Sequence, residues 1–131
     1  MYGKVSATRP RTSCLMALVG AVLALASSAV AGPPEARPRV GQASWYGAEL
    51  AQRPTASGEL FNPDGLTGAH RSLPLGSRVR ITNLRNGRSV LVTITDRGPF
   101  LRGREIDLSY GAARVLGFAE RGLERVLIEP L

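Results

Sequence analysis

Apolar and polar side chains alternate most regularly in the middle of the chain, just ahead of a sharp break in the pattern. Apolar residues fill every second position from Val90 to Ile94, which predicts a buried strand. Two breakers follow, because Gly98 reaches backbone angles closed to other residues and Pro99 cannot donate to a strand ladder. The chain therefore leaves the sheet after Asp96, which places one carboxylate at a rigid strand end beside a turn.

The same pattern, followed along the rest of the chain, predicts a small protein built from short strands. The strands are expected at Gln42–Tyr46, Arg78–Thr82, Ser89–Thr95, Glu105–Leu108 and Arg125–Glu129. Asn86-Gly87 is a strong signal for a two-residue type I′ hairpin turn. A helix is predicted at Tyr110–Leu116, because Ser109 can cap its start and Gly117 can end it. Pattern alone thus predicts a small β-barrel or an α+β fold with one or two small helices.

Residues 1–31 have the parts of a secretory signal peptide. After a basic start comes the apolar run Cys14–Ala26, and Ala29–Ala31 has the small-x-small form of a cleavage site. The alternative, a membrane anchor, needs about 20 apolar residues, and Ser27 and Ser28 interrupt this run. We therefore expect export to the periplasm or beyond, with residues 32–40 as a flexible, proline-rich leader and residues 41–131 as one small domain.

Composition changes the picture once the predicted signal peptide is removed. Three of the 17 basic residues lie in that segment, so the rest carries 14 arginines against ten acidic residues, a net charge of +4 rather than +7. A basic surface suits an acidic polymer, and export favours an anionic envelope polymer over nucleic acid. A surface that is merely kept soluble by its charge is the simpler alternative. With one histidine and no cysteine left, the sequence shows no metal-ligand pattern, and we expect no cofactor.

Several short motifs occur in a fixed order after the leader. They are Gly41–Gly47, Thr55–Glu59, Leu66–His70, Leu73–Gly76, Thr93–Phe100 and Gly103–Ser109. Their order and spacing resemble the rare lipoprotein A family, the RlpA-like septal ring lytic transglycosylases. The resemblance covers the chain from Gly41 to its C-terminus. It implies a mainly β fold, a six-stranded double-psi β-barrel with one or two short helices, which that family shares with expansins and barwin-like proteins.

The resemblance also implies an activity on the bacterial cell wall. A lytic transglycosylase of this kind cleaves the bond between N-acetylmuramic acid and N-acetylglucosamine endolytically. One carboxyl group protonates the leaving oxygen and then accepts a proton from the 6-hydroxyl, which forms a 1,6-anhydro end. Asp96 matches the aspartate of the family's D-R-G-P motif and is the expected acid and base, for which it needs a pKa raised by burial or by a nearby carboxylate. The alternative is that Asp96 only caps its turn.

Glu59 and His70 complete the expected catalytic group. Glu59 matches the glutamate of the family's T-A-x-G-E segment and is expected to support Asp96 or to stabilise positive charge on the sugar ring. Its alternative is a loop glutamate paired with an arginine. His70 matches the histidine of the T-A-A-H motif, and it would bind substrate or orient Asp96 unless it is structural. Two departures from the family pattern lie nearby: Gly68 in place of Ala, expected to loosen a short helix, and Asn62 in place of an acid.

Three further residues are expected to bind the glycan. Neighbours on a strand point to opposite faces, so one of the two adjacent aromatic residues in the first strand can face the groove, and we assign Tyr46 to it. Thr55 is expected to bind substrate from the T-A-x-G-E segment. Arg97 could hold a muramic acid carboxylate. The alternative for this arginine is an ion pair with Asp107 or Glu105.

The partners follow from the same resemblance. We expect a monomer that binds peptidoglycan glycan strands, with cell-division or other envelope proteins as further candidates and no nucleic acid. Cys14 begins the apolar run, where a lipid-attachment cysteine would end it, so we expect a soluble protein and not a lipoprotein. The sequence stops at Leu131, and we expect no SPOR domain, the glycan-binding module of many relatives. The alternative function is a non-catalytic, expansin-like module that binds wall glycan, and a protein-docking barrel has no positive support.

Overall fold

The computed structural model of the protein describes residues 36–131. The predicted signal peptide and the start of the predicted leader lie outside these described residues and stay predictions. The first strand begins at Arg39, so Arg39 and Val40, the last residues of the predicted leader, already belong to the barrel. No helix within residues 36–131 combines the length and the apolar character that crossing a membrane requires.

Within the described residues, six strands close into a barrel that is accompanied by one α-helix. The strands are β1 (Arg39–Tyr46), β2 (Thr67–Ala69), β3 (Arg78–Asn83), β4 (Ser89–Asp96), β5 (Ile106–Ser109) and β6 (Leu123–Pro130). The helix α1 spans Tyr110–Leu116, and a short 3-10 helix spans Ala48–Leu50. Around the barrel the order is β1-β5-β2-β4-β3-β6. The predicted mainly β, six-stranded barrel is thus confirmed, and closure leaves none of these strands with a free edge.

Parallel and antiparallel pairs are mixed around the barrel. β1 pairs with β5 and β2 with β4 in parallel, and the remaining neighbours are antiparallel. The apolar positions of the alternating pattern point inward. The fully buried side chains of the strands include Val79, Ile81, Ile94, Ile106, Leu108, Val126 and Ile128. The alternation that predicted the strands therefore also packs the interior.

The boundaries of α1 follow the sequence signals. The Ser109 hydroxyl accepts a hydrogen bond from the Ala112 N–H at 3.3 Å, and Gly117 ends the helix in the left-handed conformation, with φ 75°. Three helix residues, Ala112, Ala113 and Leu116, are buried against the barrel core. The helix predicted from its caps is confirmed at both ends.

Two local predictions are wrong. Gly68 lies in strand β2 rather than in a short helix, because this segment pairs with β4 on one side and with β5 on the other. A type I′ turn needs positive φ at both central residues, and of Asn86 and Gly87 only Gly87 has it, at 75°. The turn is wider, and it is closed by the Gly87 N–H, which donates to the Asn83 carbonyl at 2.8 Å. The Asn86 side chain instead donates to the Leu116 carbonyl at the end of α1, at 2.9 Å.

Candidate active site

Four neighbouring strands, β1, β5, β2 and β4, carry polar side chains on the outside of the barrel. Asp107 points outward because both of its neighbours along β5 are fully buried in the core. The register aligns Ser44 with Asp107, Asp107 with Ala69, and Ala69 with Asp96. This outer surface, marked by Ser44, Asp107 and Asp96, is the site face.

A β-bulge in β4 places Asp96 on the site face. Gly68 aligns with Ile94 and Ala69 with Asp96, which leaves Thr95 as the extra residue of β4. Strict alternation would give Asp96 the same direction as Ile94, which is fully buried in the core. The extra residue reverses that direction, since a bulge re-aims the side chains that follow it, and Asp96 shares the outer surface with Ala69.

The two carboxylate oxygens of Asp96 differ in their hydrogen bonds within the described residues. Oδ1 accepts hydrogen bonds from the N–H groups of Arg97 at 2.9 Å and of Ala56 at 3.1 Å. The first bond goes to the next residue rather than to the N–H two residues on that an Asx-turn cap uses, and the second joins a distant loop to the strand end. Within the described residues no group hydrogen-bonds Oδ2. The half-buried side chain therefore keeps one oxygen for acid and base chemistry.

The covering loop, Pro54–Leu60, lies over part of the site face. Its two ends form an isolated β-bridge, and the Ser57 N–H donates to the Thr95 carbonyl at 2.9 Å. Thr55 stabilises the loop, because its N–H and its hydroxyl donate to the Glu59 carbonyl at 2.9 and 2.8 Å. Glu59 is exposed, and among the described residues it forms no ion pair. The alternative of a glutamate paired with an arginine is therefore not observed there.

His70 is fully buried, and its ring is held by Glu105 rather than by Asp96. Nδ1 accepts hydrogen bonds from the N–H groups of Ser72 and Leu73, both at 3.1 Å. The proton therefore sits on Nε2, which donates to Glu105 Oε1 at 3.0 Å. Burial lowers the pKa of His70, and the hydrogen bond to Glu105 opposes part of that effect. The contact with Asp96 runs through the backbone, where the His70 N–H donates to the Asp96 carbonyl at 3.1 Å.

Arg97 braces the segment after β2. Its Nη1 donates to the carbonyl of His70 at 3.2 Å and to the carbonyl of Leu73. The ion pair that the sequence left open as an alternative does not form within the described residues, because both acids are held by other arginines. These pairs are Arg39 and Arg71 with Glu105, each at 3.1 Å, and Arg104 with Asp107 at 2.9 Å. The Arg97 side chain itself is exposed.

The two aromatic residues at the end of β1 lie on opposite faces, as alternation requires. Trp45 packs against the core and donates its indole N–H to a backbone carbonyl at 2.9 Å. Tyr46 stacks against Phe61, with 4.6 Å between ring centroids, and its hydroxyl is buried without a hydrogen-bond partner among the described residues. Burial, followed by the charges of Asp96 and Asp107, raises the pKa of Tyr46 above its ordinary value. The hydroxyl therefore stays protonated.

Asp107 is the site-face residue that sequence reasoning did not identify as a candidate. Its Oδ1 accepts hydrogen bonds from the Ser44 hydroxyl and from Arg104 Nη2, the latter at 2.9 Å. The available signal was a single polar position between two apolar ones in a short strand. Its place near Asp96 depends on β4 and β5 pairing with opposite edges of β2, which no local pattern encodes.

No group of acids, His or Cys within residues 36–131 is arranged to hold a metal ion.

Comparison with known proteins agrees with this architecture. A family model described as lytic transglycolase matches residues 39–128. A protein of Nostoc sp. named "Probable endolytic peptidoglycan transglycosylase RlpA" is 64% identical over 93 residues, which cover 70% of this chain and 25% of that protein. The endolytic peptidoglycan transglycosylase RlpA of Pseudomonas aeruginosa is 54% identical over 90 residues, which cover 69% of this chain and 26% of that protein. The chain thus spans about a quarter of the length of these curated relatives.

Solved structures share the fold at low sequence identity. The apo expansin of Clavibacter michiganensis has a TM-score of 0.60 at 21% identity, over 72% of this chain and 50% of that chain. The Streptomyces papain inhibitor has a TM-score of 0.58 at 20% identity, over 72% of this chain and 94% of that chain. Likeness at this level indicates the fold alone. The family match over residues 39–128 goes further, since it spans most of the chain and all of the site face. This chain belongs to the double-psi β-barrel family of lytic transglycolases.

Proposed function

We propose that this domain is an endolytic lytic transglycosylase of peptidoglycan that uses Asp96 as its acid and base. The observation that carries the proposal is the position of that residue. Asp96 stands at the end of a rigid strand, a bulge turns it to the outer surface, and Oδ1 is fixed while Oδ2 has no hydrogen-bond partner among residues 36–131. Family membership supplies the substrate class, because the relatives are named as peptidoglycan transglycosylases.

The proposed reaction uses one carboxyl group twice. In its acid form, Asp96 protonates the oxygen that leaves C1 of N-acetylmuramic acid. The 6-hydroxyl oxygen of the same sugar then bonds to C1, and the Asp96 carboxylate takes up the proton of that hydroxyl. A 1,6-anhydro ring closes, no water is consumed, and the carboxyl group is restored. One carboxyl group can therefore replace the spaced pair that glycoside hydrolases need.

Glu59 is assigned to the positive charge that develops on the sugar ring, and Tyr46 is assigned to hydrogen bonding in the site. The Glu59 carboxylate stands at the edge of the covering loop, without a competing cation among the described residues, and can face a cationic ring. The Tyr46 hydroxyl is protonated, lies within the electrostatic influence of Asp96 and has no hydrogen-bond partner among the described residues, so it can donate a hydrogen bond to the glycan or to the Asp96 carboxylate. Both assignments are electrostatic and need no covalent intermediate.

His70, Thr55 and Arg97 are assigned to positioning and binding. His70 fixes the segment that leaves β2, because its ring and its backbone both anchor that segment. Thr55 shapes the covering loop that carries Glu59. Beyond Nη1, the exposed guanidinium of Arg97 has donors without a partner among the described residues, which suits the lactyl carboxylate of muramic acid.

The products formed from purified sacculi test the function. After incubation with the protein, mass spectrometry of the soluble fragments should show new 1,6-anhydro ends. New reducing ends would instead indicate a hydrolase. Pelleting with sacculi without release of any fragment would favour the alternative, a non-catalytic wall-binding module. We also propose that the protein acts outside the cytoplasm as a soluble monomer, which intact-mass analysis of the exported chain and light scattering would test.

Asp96→Asn tests the central residue. Asn keeps an oxygen for the Arg97 and Ala56 N–H bonds but cannot shuttle a proton, so the fold should survive while cleavage falls by at least about 100-fold. Asp64→Asn is the matched control, because it removes the same charge from an exposed loop position. The rate of anhydro-end formation and the melting temperature are measured for all three proteins. If the Asp96 variant melts like the parent and cleaves at the parent rate, Asp96 is not the acid and base.

A further inference from the structure

A small cavity lies between the covering loop and the site face, close to the end of β4. It measures about 100 Å³. Its walls are formed by Thr55, Glu59, Leu60, Phe61, Asn62, Thr67 and Thr95. Thr95 immediately precedes Asp96, so one wall of the cavity belongs to the strand end that carries the proposed acid. Its volume is several times what one water molecule needs.

Two buried hydroxyl groups in the cavity wall lack partners. Thr67 Oγ1 and Thr95 Oγ1 are buried, and neither has a hydrogen-bond partner among the described residues. Thr95 as a whole is 4% exposed. Buried polar side chains are nearly always paired, so two unpaired hydroxyls on residues that line one cavity indicate a group that pairs them when the cavity is filled. The covering loop explains the burial of Thr95, since alternation after the inward Ile94 places Thr95 on the outer surface and Ser57 of the loop hydrogen-bonds its carbonyl.

The chemistry of the walls indicates a neutral group with one polar and one apolar side. Threonine hydroxyls both donate and accept hydrogen bonds, and Phe61 and Leu60 offer an apolar surface. Within residues 36–131 no arginine borders the cavity, which disfavours a carboxylate. An acetamido group has an N–H donor, a carbonyl acceptor and a methyl group, and it matches all of these walls. An ammonium group would use Glu59 and leave the apolar wall uncovered.

We propose that this cavity is the specificity pocket for the 2-acetamido group of the glycan, with Thr67 and Thr95 as the residues that bind it. The inference rests on the proposed function, because it assumes an N-acetylated amino-sugar polymer as substrate. The acetamido group is attached to C2, the neighbour of the carbon whose bond is cleaved. Seating it beside Thr95 brings C1 toward the open oxygen of Asp96, so the pocket also sets the position of the sugar along the site face.

Binding of three hexasaccharides tests the pocket without any cleavage. The probes are the β-1,4-linked hexamers of N-acetylglucosamine, glucosamine and glucose, which differ at C2 alone. In titrations of the purified protein followed by calorimetry and NMR, the N-acetylated hexamer should bind at least about tenfold more tightly than the other two. It should also shift the resonances of Thr67 and Thr95. Equal affinities, tighter binding of the glucosamine hexamer, or no binding by any of the three would overturn the proposal and leave a cavity that holds water only.

Two isosteric variants assign the preference to the hydroxyls. Thr95→Val and Thr67→Val keep the shape of the side chain, and each should reduce the preference for the N-acetylated hexamer about three- to tenfold. The melting temperature should stay or rise, since an unpaired buried hydroxyl is replaced by a methyl group. Thr82→Val, on β3 and outside the cavity, is the control and should change neither quantity. An unchanged preference in both cavity variants would overturn the assignment.

Sacculi separate this inference from the proposed function. If the protein releases anhydro ends equally fast from native and chemically de-N-acetylated sacculi, the function stands and the pocket assignment fails. If it binds the N-acetylated hexamer selectively but releases no fragments, the pocket assignment stands and the proposed cleavage fails.

Discussion

At the scale of single residues, His70 shows how burial fixes the state of a titratable group. Its ring accepts two backbone N–H bonds at Nδ1, which leaves Nε2 as the donor to Glu105. A second proton on the ring would remove the acceptor that the Ser72 and Leu73 N–H groups need. Glu105 is bonded by several of these groups at once. Burial raises its pKa, but the hydrogen bonds from His70 and Arg39 outweigh burial, so its pKa lies below the ordinary value. The neutral imidazole and the ionised carboxylate therefore belong to the folded state.

This state predicts the direction of the pH dependence of stability. In the folded protein the pKa of His70 is lower than in the unfolded chain, so the unfolded chain takes up the proton at a higher pH. Stability is therefore lost as the pH falls from about 6.5, the ordinary pKa of histidine, through the lower pKa of the folded state. His70 is the only histidine of the chain. In His70→Gln the free energy of unfolding should decline less between pH 7 and pH 5, measured by urea denaturation at each pH. At pH 7 the variant should be less stable by about 1–3 kcal/mol, because buried donors lose their partner. Parallel pH profiles would contradict the assignment.

At the scale of elements, the start of α1 is hydrogen-bonded to the segment that precedes β2. The Ser109 hydroxyl caps the helix and also donates to the Gly65 carbonyl at 2.6 Å. The Gly111 N–H donates to the Pro63 carbonyl at 2.8 Å. A Cβ atom at position 111 would stand 2.6 Å from the Asp64 carbonyl oxygen, closer than real Cβ contacts allow. The first turn of α1 thus packs backbone against backbone, which fixes how β2 enters the site face.

This close approach predicts that Gly111→Ala is destabilising although alanine is the better helix former. Propensity would favour alanine by up to about 1 kcal/mol, while overpacking against backbone costs about 1–3 kcal/mol, so the net effect should be a loss. The free energy of unfolding from urea titrations measures it. Val115→Ala, an exposed position of the same helix, is the control and should change stability by less than about 0.5 kcal/mol. A Gly111 variant as stable as the parent would contradict the prediction, because it would show that the backbone around Asp64 shifts at little cost in free energy.

At the scale of the whole molecule, arginine dominates the charged surface, and some of these arginines stand beside the site face. The segment between β4 and β5 carries Arg102 and Arg104 next to the open groove that also holds Arg71 and the exposed Phe100. Arg104 and Arg71 are tied to acids and carbonyls, whereas Arg102 is exposed. A polymer that carries carboxylates would meet this charge near the proposed active site.

The basic surface predicts that binding to sacculi weakens as salt is added. Added ions shorten the distance over which exposed charges attract each other. In pelleting assays across a sodium chloride series, Arg102→Gln should weaken binding by about two- to fivefold at low salt, on the scale of an exposed ion pair, and should flatten the salt dependence. Arg78→Gln on β3, also exposed but outside the four strands of the site face, is the matched control and should leave both quantities near the parent values. Retention that is independent of salt would contradict an electrostatic contribution.

The sequence by itself determined the elements whose causes are local. Alternation predicted β3, β4 and β6, Ser109 and Gly117 predicted the ends of α1, and the breakers after Asp96 predicted where β4 stops. Resemblance to a known family then supplied the barrel, which alternation alone left open. Each of these features rests on side-chain periodicity or on backbone preferences within a few residues, so a linear pattern carries it.

Tertiary structure alone decided what depends on pairing between distant segments. β2 is three residues long and is a strand because β4 and β5 flank it, which is why a helix was wrongly predicted around Gly68. The bulge at Thr95 turns Asp96 outward, and the pairing of β4 and β5 with the two edges of β2 brings Asp107 near it. The ring of His70 hydrogen-bonds Glu105 rather than Asp96. These contacts come from strand register and loop closure, whose free energy is shared among residues far apart in the chain and leaves no local trace in the sequence.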